Sequence, residues 1–235
     1  ILQCVEQKNE GNITKIYVMG CLSERYRQDL IKEIPEVDHW YGKFDWAQIV
    51  SDISTLNPSI STSERAVTTP SHYAYIKIAE GCNRFCAFCA IPLITGRYKS
   101  RPIEDVVDEI KLLVSNGVKE FNIIAQDLSY YGIDLYGKQL LPQLIEQIAQ
   151  INGVEWIRLH YAYPNQFPLE LLDVINRYDN VCKYLDIALQ HSSDIVLDKM
   201  RRHITNSETI DLLKKIREKV PGIHIRTTLM VGFPG

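Results

Sequence analysis

Three cysteines fall within eight residues in the run Glu80-Gly81-Cys82-Asn83-Arg84-Phe85-Cys86-Ala87-Phe88-Cys89. A C-x3-C-x2-C loop lets each thiolate reach a different corner iron of a cubane 4Fe-4S cluster and leaves the fourth iron without a protein ligand. That open iron is the functional point of the loop. The competing assignment is a zinc site, which would need a fourth ligand from His72, His160 or His191 and is more often built from spaced cysteine pairs than from one tight triplet. A non-catalytic iron-sulfur or zinc protein likewise requires a fourth protein ligand. Chance clustering of core cysteines does not suit a stretch flanked by Gly81 and Asn83.

The loop follows an apolar run, residues 73–78, that reads as a strand. Further strands are expected over 119–125, 154–160, 181–189 and 223–231, separated by helices near 102–115, 140–151, 169–178 and 207–219. Pro102 in the first turn, early acidic residues and Gly117 as a stop delimit the first of these helices. Strand and helix alternating at roughly thirty-residue intervals implies parallel strands joined by crossovers. Such a series closes into a barrel or lies open as a doubly wound sheet, and in both the chemistry sits at the carboxyl ends of the strands. Those ends here carry Glu80 to Cys82, Gln126-Asp127, His160 to Tyr163, Gln190-His191 and Gly232 onward. The fold class is therefore α/β, in one or other of these two forms.

Ahead of it, residues 14–20 read as a short buried strand and 23–34 as a polar helix with Ser23 as N-cap. Residues 44–53 have helical spacing, and the Ser/Thr/Pro-rich stretch 55–71 reads as a linker. The expected organisation is thus part of a smaller α/β domain over 1–54, the linker, and the strand–helix series over 72–235.

The bulk properties set limits. A chain of 235 residues with 46% hydrophobic and 23% charged residues is globular, neither disordered nor collagen-like. A formal net charge of −3 supplies no basic field of the kind a dedicated nucleic-acid binder usually shows, so no direct nucleic-acid site is evident, and nothing in it argues for or against a specific RNA partner. There is no apolar run long enough to span a bilayer and no signal-peptide pattern at the start, so a cytoplasmic setting without membrane contact is expected. Six cysteines so unevenly spread do not form a disulfide framework. The missing initiator Met and the end at Val231-Gly-Phe-Pro-Gly235 read as a fragment cut at both ends.

The cysteine loop, down to Phe88 before the last cysteine, resembles the radical S-adenosylmethionine superfamily. Within it, residues 90–102 (Ala-Ile-Pro-Leu-Ile-Thr-Gly-Arg-Tyr-Lys-Ser-Arg-Pro), 124–132 (Ile-Ala-Gln-Asp-Leu-Ser-Tyr-Tyr-Gly) and Met200-Arg201-Arg202 resemble the methylthiotransferases. The likeness covers most of residues 14–235 and implies that the α/β series over 72–235 is a partial TIM-like (β/α) barrel, preceded by part of a smaller α/β domain. It implies a 4Fe-4S cluster on Cys82, Cys86 and Cys89, whose open iron takes the methionine part of S-adenosylmethionine and cleaves it to a 5′-deoxyadenosyl radical. It also implies a second, auxiliary 4Fe-4S cluster in the N-terminal domain and a β-rich substrate-gripping domain beyond residue 235.

Residues 18–26 (Val-Met-Gly-Cys-Leu-Ser-Glu-Arg-Tyr) match the segment carrying one auxiliary ligand, which makes Cys21 the candidate. The other two ligands would lie upstream of Ile1. Cys4 reads as a helix residue and Cys182 as a small buried thiol. Phe88 is expected near the adenine or as a shield of the cluster. Gln126 and Gln190 are expected as ribose or methionine contacts, or as turn-stabilising side chains. His160 and His191 read as neighbours of the radical or as hydrogen-bonded structural histidines. Arg201-Arg202 and Lys214-Lys215 read as solvated helix faces.

The segments 126–132, 159–164 (Leu-His-Tyr-Ala-Tyr-Pro) and 186–191 (Asp-Ile-Ala-Leu-Gln-His) resemble the branch that modifies an aspartate of a small-subunit ribosomal protein, rather than the branch that modifies a transfer-RNA adenosine. Thr95 departs from the family, where many members have Arg before the glycine. The resemblance implies methylation of sulfur at the auxiliary cluster by one S-adenosylmethionine. A second molecule then generates the radical that opens the β-carbon of the aspartate to the methylthio group. A ribosomal protein as substrate and a reducing electron donor are the implied partners.

Overall fold

The computed structural model describes residues 1–53 and 67–235, so residues 55–66 of the expected linker lie outside the described residues. The chain divides into two compact units, Ile1–Glu64 with Ala90–Gly96, and Arg65–Cys89 with Arg97–Gly235.

The first unit contains helices α1 (Leu2–Asn9), α2 (Cys21–Glu33) and α3 (Trp46–Ile53), and strands β1 (Tyr17–Met19) and β2 (His39–Tyr41), which pair in parallel. The short helix α4 (Ile91–Thr95) packs on α2. A small core of Val5, Ile16 and Val37 holds it together. Gly20, not Ser23, caps α2. Ser23 is instead buried one turn inside the helix, where its hydroxyl donates to the carbonyls of Gly20 (2.9 Å) and Tyr41 (2.5 Å). The helix begins two residues earlier than expected because the glycine allows the sharp entry that a side chain at that φ of 142° would resist.

The second unit is built on five parallel strands, β3 (Tyr73–Lys77), β6 (Glu120–Ile124), β7 (Trp156–Ala162), β8 (Val181–Gln190) and β9 (His224–Leu229), adjacent in that order. Each new strand is added beside the last, the progression of a barrel wall. A two-residue ribbon, β4 (Ala79–Glu80) against β5 (Lys99–Ser100), is antiparallel. The crossovers carry α5 (Ile103–Ser115), α6 (Ile133–Tyr136), α7 (Leu141–Ala149), α8 (Glu170–Arg177), α9 (Asp194–Lys199) and α10 (Asn206–Lys219).

Pro102 is the N-cap of α5 rather than a first-turn residue. Glu104 and Asp105 stand in the first turn, where the exposed N–H groups favour negative charge. Ile103, Val106, Ile110 and Leu113 recur at helical spacing and are buried, as are Leu141, Leu144, Ile145 and Ile148 on α7. These stripes cover one face of the sheet, meeting Ile76, Phe121, Ile123, Ile157 and Leu185, all fully buried. Each such side chain contributes about 1.5–3 kcal/mol by leaving water. A Thr205–Glu208 capping box starts α10.

The other face of the sheet is polar. Asn122, His160, Asp186 and Arg226, on β6 to β9, form a chain across it: His160 Nε2 to Asn122 Oδ1 at 3.1 Å, His160 Nδ1 to Asp186 Oδ2 at 3.8 Å, and Arg226 donating to Asp186 Oδ2 at 2.7 Å. His160 is therefore a bonded member of this row. Burial pulls its pKa below the ordinary value, against the attraction of Asp186. Among the described residues, no helix is long and apolar enough to cross a membrane.

Candidate functional site

The cysteine loop leaves the sheet at Glu80, and the β4–β5 ribbon closes its base. Within the loop Cys89 N–H donates to Cys86 O (3.0 Å), the Arg84 N–H to Cys82 Sγ (3.5 Å), and the Tyr98 N–H to Asn83 Oδ1 (3.2 Å). Phe85 takes a left-handed φ of 49° and stacks under Arg97, whose guanidinium carbon is 4.4 Å from the ring centre. Burial pushes the Cys82 thiol up, with Asp127, Cys86 and Cys89 adding in the same direction.

Two arginines hold the loop to the sheet. Arg84 Nε donates to Asp127 Oδ2 at 2.7 Å just past β6, and the pair is buried, with side chains 9% and 2% exposed. Asp127 is anchored in turn by the Ser129 N–H at 2.9 Å. Arg202 Nη1 donates to Cys86 Sγ at 3.3 Å and its Nη2 to Ala188 O. Between them lies Tyr163, with the guanidinium carbons of Arg84 and Arg202 4.2 and 4.1 Å from its ring centre. Its hydroxyl donates to Arg202 O (2.8 Å) and lies 3.8 Å from Cys86 Sγ. Burial pushes the Tyr163 phenol up, so it stays a neutral donor. Arg202 is thus a correction to the solvated face expected for Arg201-Arg202. Arg201 is exposed, while Arg202 is 3% exposed.

Backbone strain concentrates at this end of the sheet. Among the described residues, Phe85, Tyr161, Gln166, Gln190, Arg201 and His203 have positive φ without being glycine. All lie in loops or strand ends at the carboxyl side, and each such residue costs on the order of 1–3 kcal/mol, the kind of strain that clusters at functional sites.

The expected site residues fall as follows. Cys82, Cys86 and Cys89 share the loop; Cys86 is buried and the other two are half-buried. Phe88 meets Phe233 edge-on, ring centres 6.4 Å apart. Gln126 donates from Nε2 to Glu80 Oε1, and its own Oε1 is buried without a partner; so is the Oε1 of Gln190, the last residue of β8. His191 Nδ1 accepts the Ser193 N–H at 3.0 Å, a local turn contact. Cys21 belongs to the first unit, exposed at the start of α2. Cys4 lies exposed on α1, and Cys182 is half-buried at the start of β8.

Sequence reasoning missed Arg84, Asp127, Tyr163 and Arg202 as a set. Arg84, Asp127 and Tyr163 follow different strands, where the only signal was that strand ends carry polar residues, and Arg202 follows α9, where there was none.

The donor set suits an iron-sulfur cubane. Among the described residues no three His, Cys, Asp or Glu side chains gather closely enough to enclose one metal ion. A cubane instead takes one thiolate at each of three separate irons. The two orphaned carboxamide oxygens are acceptors that a polar ligand at the mouth could satisfy.

The sequence profile of the radical SAM superfamily matches residues 76–235. The chain belongs to the radical SAM superfamily. Over all 235 residues it is 61% identical to the ribosomal protein uS12 methylthiotransferase RimO of Phocaeicola vulgatus, 60% to that of Bacteroides fragilis and 59% to that of Porphyromonas gingivalis. It spans 54% of the length of each, so about half of these relatives has no counterpart in it.

Among solved structures of radical SAM enzymes, cobalamin-dependent OxsB with aqua-cobalamin and S-adenosylmethionine bound matches 97% of this chain and 38% of its own, with a TM-score of 0.67 and 12% identity. The methyltransferase TsrM of Kitasatospora setae matches 73% and 35%, with a TM-score of 0.57 and 20% identity. At these identities the likeness is one of fold, and it agrees with the partial barrel expected of the sequence.

Proposed function

We propose that the chain is the catalytic core, with part of the auxiliary-cluster domain, of a methylthiotransferase that modifies the β-carbon of an aspartate in ribosomal protein uS12. The observation that carries this is the identity of about 60% to RimO proteins over the whole of this chain. Cys82, Cys86 and Cys89 would hold the radical-generating 4Fe-4S cluster, and Cys21 one corner of a second. When bound, the cluster and S-adenosylmethionine supply a carbon-centred radical strong enough to take hydrogen from an unactivated C–H bond.

The chain's own groups prepare for this. Arg202 donates to the Cys86 sulfur and Tyr163 packs beside it, keeping water from that thiol. Gln126 and Gln190 offer acceptors at the mouth to the ribose hydroxyls or the methionine ammonium, and Phe88 offers an apolar face for the adenine. The reading also assigns the protein to the cytoplasm, where the ribosomal protein and a reducing electron donor are found.

The test is anaerobic reconstitution with iron and sulfide, then incubation with S-adenosylmethionine, a reductant, and either uS12 or transfer RNA. Mass spectrometry of a uS12 peptide should gain the mass of a methylthio group on aspartate. Modified adenosine in the transfer RNA instead would move the protein to the sister branch. No 5′-deoxyadenosine from a cluster-loaded protein would end the catalytic reading.

A further inference from the structure

Arg202 is a buried cation with no carboxylate within ion-pairing distance among the described residues, whereas Arg84, on the other side of Tyr163, has Asp127. Burying a charge without a countercharge is strongly unfavourable. Among the described residues the hydrogen-bond partners of the Arg202 guanidinium are the Cys86 sulfur and the Ala188 carbonyl, and its Nε is buried without one. The Tyr163 ring offers only partial compensation through its face.

The backbone is built to hold this arrangement. Arg201 and His203, on either side, both take left-handed φ values, 56° and 53°. Met200 O accepts the Ala87 N–H at 3.0 Å, fastening the segment to the cysteine loop next to Cys86. Together these features hold the Arg202 guanidinium at that sulfur.

We propose that Arg202 is a positioning residue that serves as the countercharge of the cluster at its Cys86 corner and makes that cluster easier to reduce. This rests on the assignment of the three-cysteine cluster made above. A positive charge and a hydrogen bond at a ligand sulfur stabilise the more negative, reduced state, and such contacts are among the determinants of cluster potential. The missing carboxylate follows, because a neutralised guanidinium would lose most of the effect.

The experiment is a redox titration of the reconstituted protein, followed on the EPR signal that changes when S-adenosylmethionine is added. Wild type, Arg202→Gln, Arg202→Lys and the exposed control Arg201→Gln are compared, with iron content and circular dichroism recorded for each. The midpoint should shift to more negative potential in Arg202→Gln, by less in Arg202→Lys, and not at all in Arg201→Gln. A folded, iron-loaded Arg202→Gln protein with the wild-type midpoint overturns the proposal. Should that variant not fold, an unchanged midpoint in Arg202→Lys overturns it instead. Wild type lacking any signal responsive to S-adenosylmethionine would remove the cluster assignment itself, an outcome distinct from an unmoved midpoint.

Discussion

Arg84 reaches 43 residues along the chain to pair with Asp127, Nε to Oδ2 at 2.7 Å, and in doing so ties the cysteine loop to the carboxyl end of β6. Both side chains are buried, so removing one leaves the other charged and unpaired. Asp127→Ala should destabilise the fold by about 3–5 kcal/mol, read by urea denaturation. The double variant Arg84→Met, Asp127→Leu should recover much of that loss. Additive losses in the two single variants and the double would count against the pair as a unit.

The orphaned oxygens of Gln126 and Gln190 give a binding prediction. If each accepts one hydrogen bond from S-adenosylmethionine, its loss is worth about 0.5–1.5 kcal/mol, or about two- to tenfold in Kd. Calorimetry on the reconstituted protein with Gln126→Leu and Gln190→Leu should show weakening of this size. Unchanged affinity in both would return the two residues to a turn-stabilising role.

Gly132 and Gly137 flank α6, both with left-handed φ, 93° and 73°. A Cβ at Gly132 would lie 2.8 Å from Lys138 O and 2.9 Å from Leu140 Cβ, while one at Gly137 meets open space. Alanine at Gly137 should cost about 1–2 kcal/mol for the backbone alone. Alanine at Gly132 should cost clearly more, because two neighbours must also move. Thermal melts of the two variants give the comparison, and equal shifts would refute it.

His160 predicts a pH dependence. Its pKa is lowered in the fold, chiefly by burial, so below about 6.5 the unfolded chain binds a proton that the folded chain resists. This contribution to stability is full above the ordinary histidine pKa and is lost as pH falls through 6.5 towards the folded value. His160→Gln, which can still bond Asn122, should flatten the fall in Tm between pH 7 and 5 by removing that proton. The groups facing the ring are Asn122, Tyr184, Asp186, Arg158 and Arg226. A pH profile identical to wild type would show that the ring titrates normally.

The barrel strands were legible because their runs are short, apolar and bounded by turn residues, as in Phe121 to Ile123 ahead of Gln126-Asp127. Chemistry bound to local spacing was legible too, since three thiols on one loop need no tertiary structure to be noticed. What escaped was carried by distance in sequence. Arg202 looks like a helix-face residue until α9 ends before it and two left-handed neighbours turn its side chain inward. Ser23 follows the pattern of a cap, yet Gly20 starts the helix earlier and leaves the serine to bond Tyr41 O. The strand read over 14–20 is present as β1, shorter and only half-buried, whereas its partner β2, three residues long, carries too little periodicity to separate from loop.

The sequential strand order has a consequence for synthesis. Because each βα unit lies beside the one before it, a chain leaving the ribosome can dock every strand as it emerges, without waiting for a later partner to be inserted. The cysteine loop is the exception. Its Cys86 sulfur waits 116 residues for Arg202, so during translation the nascent barrel wall carries its thiols without that guanidinium until residue 202 has cleared the exit tunnel. If these three thiols hold the proposed cluster, iron and sulfide arriving in that interval would meet a loop tethered at its base but not yet clamped at that corner.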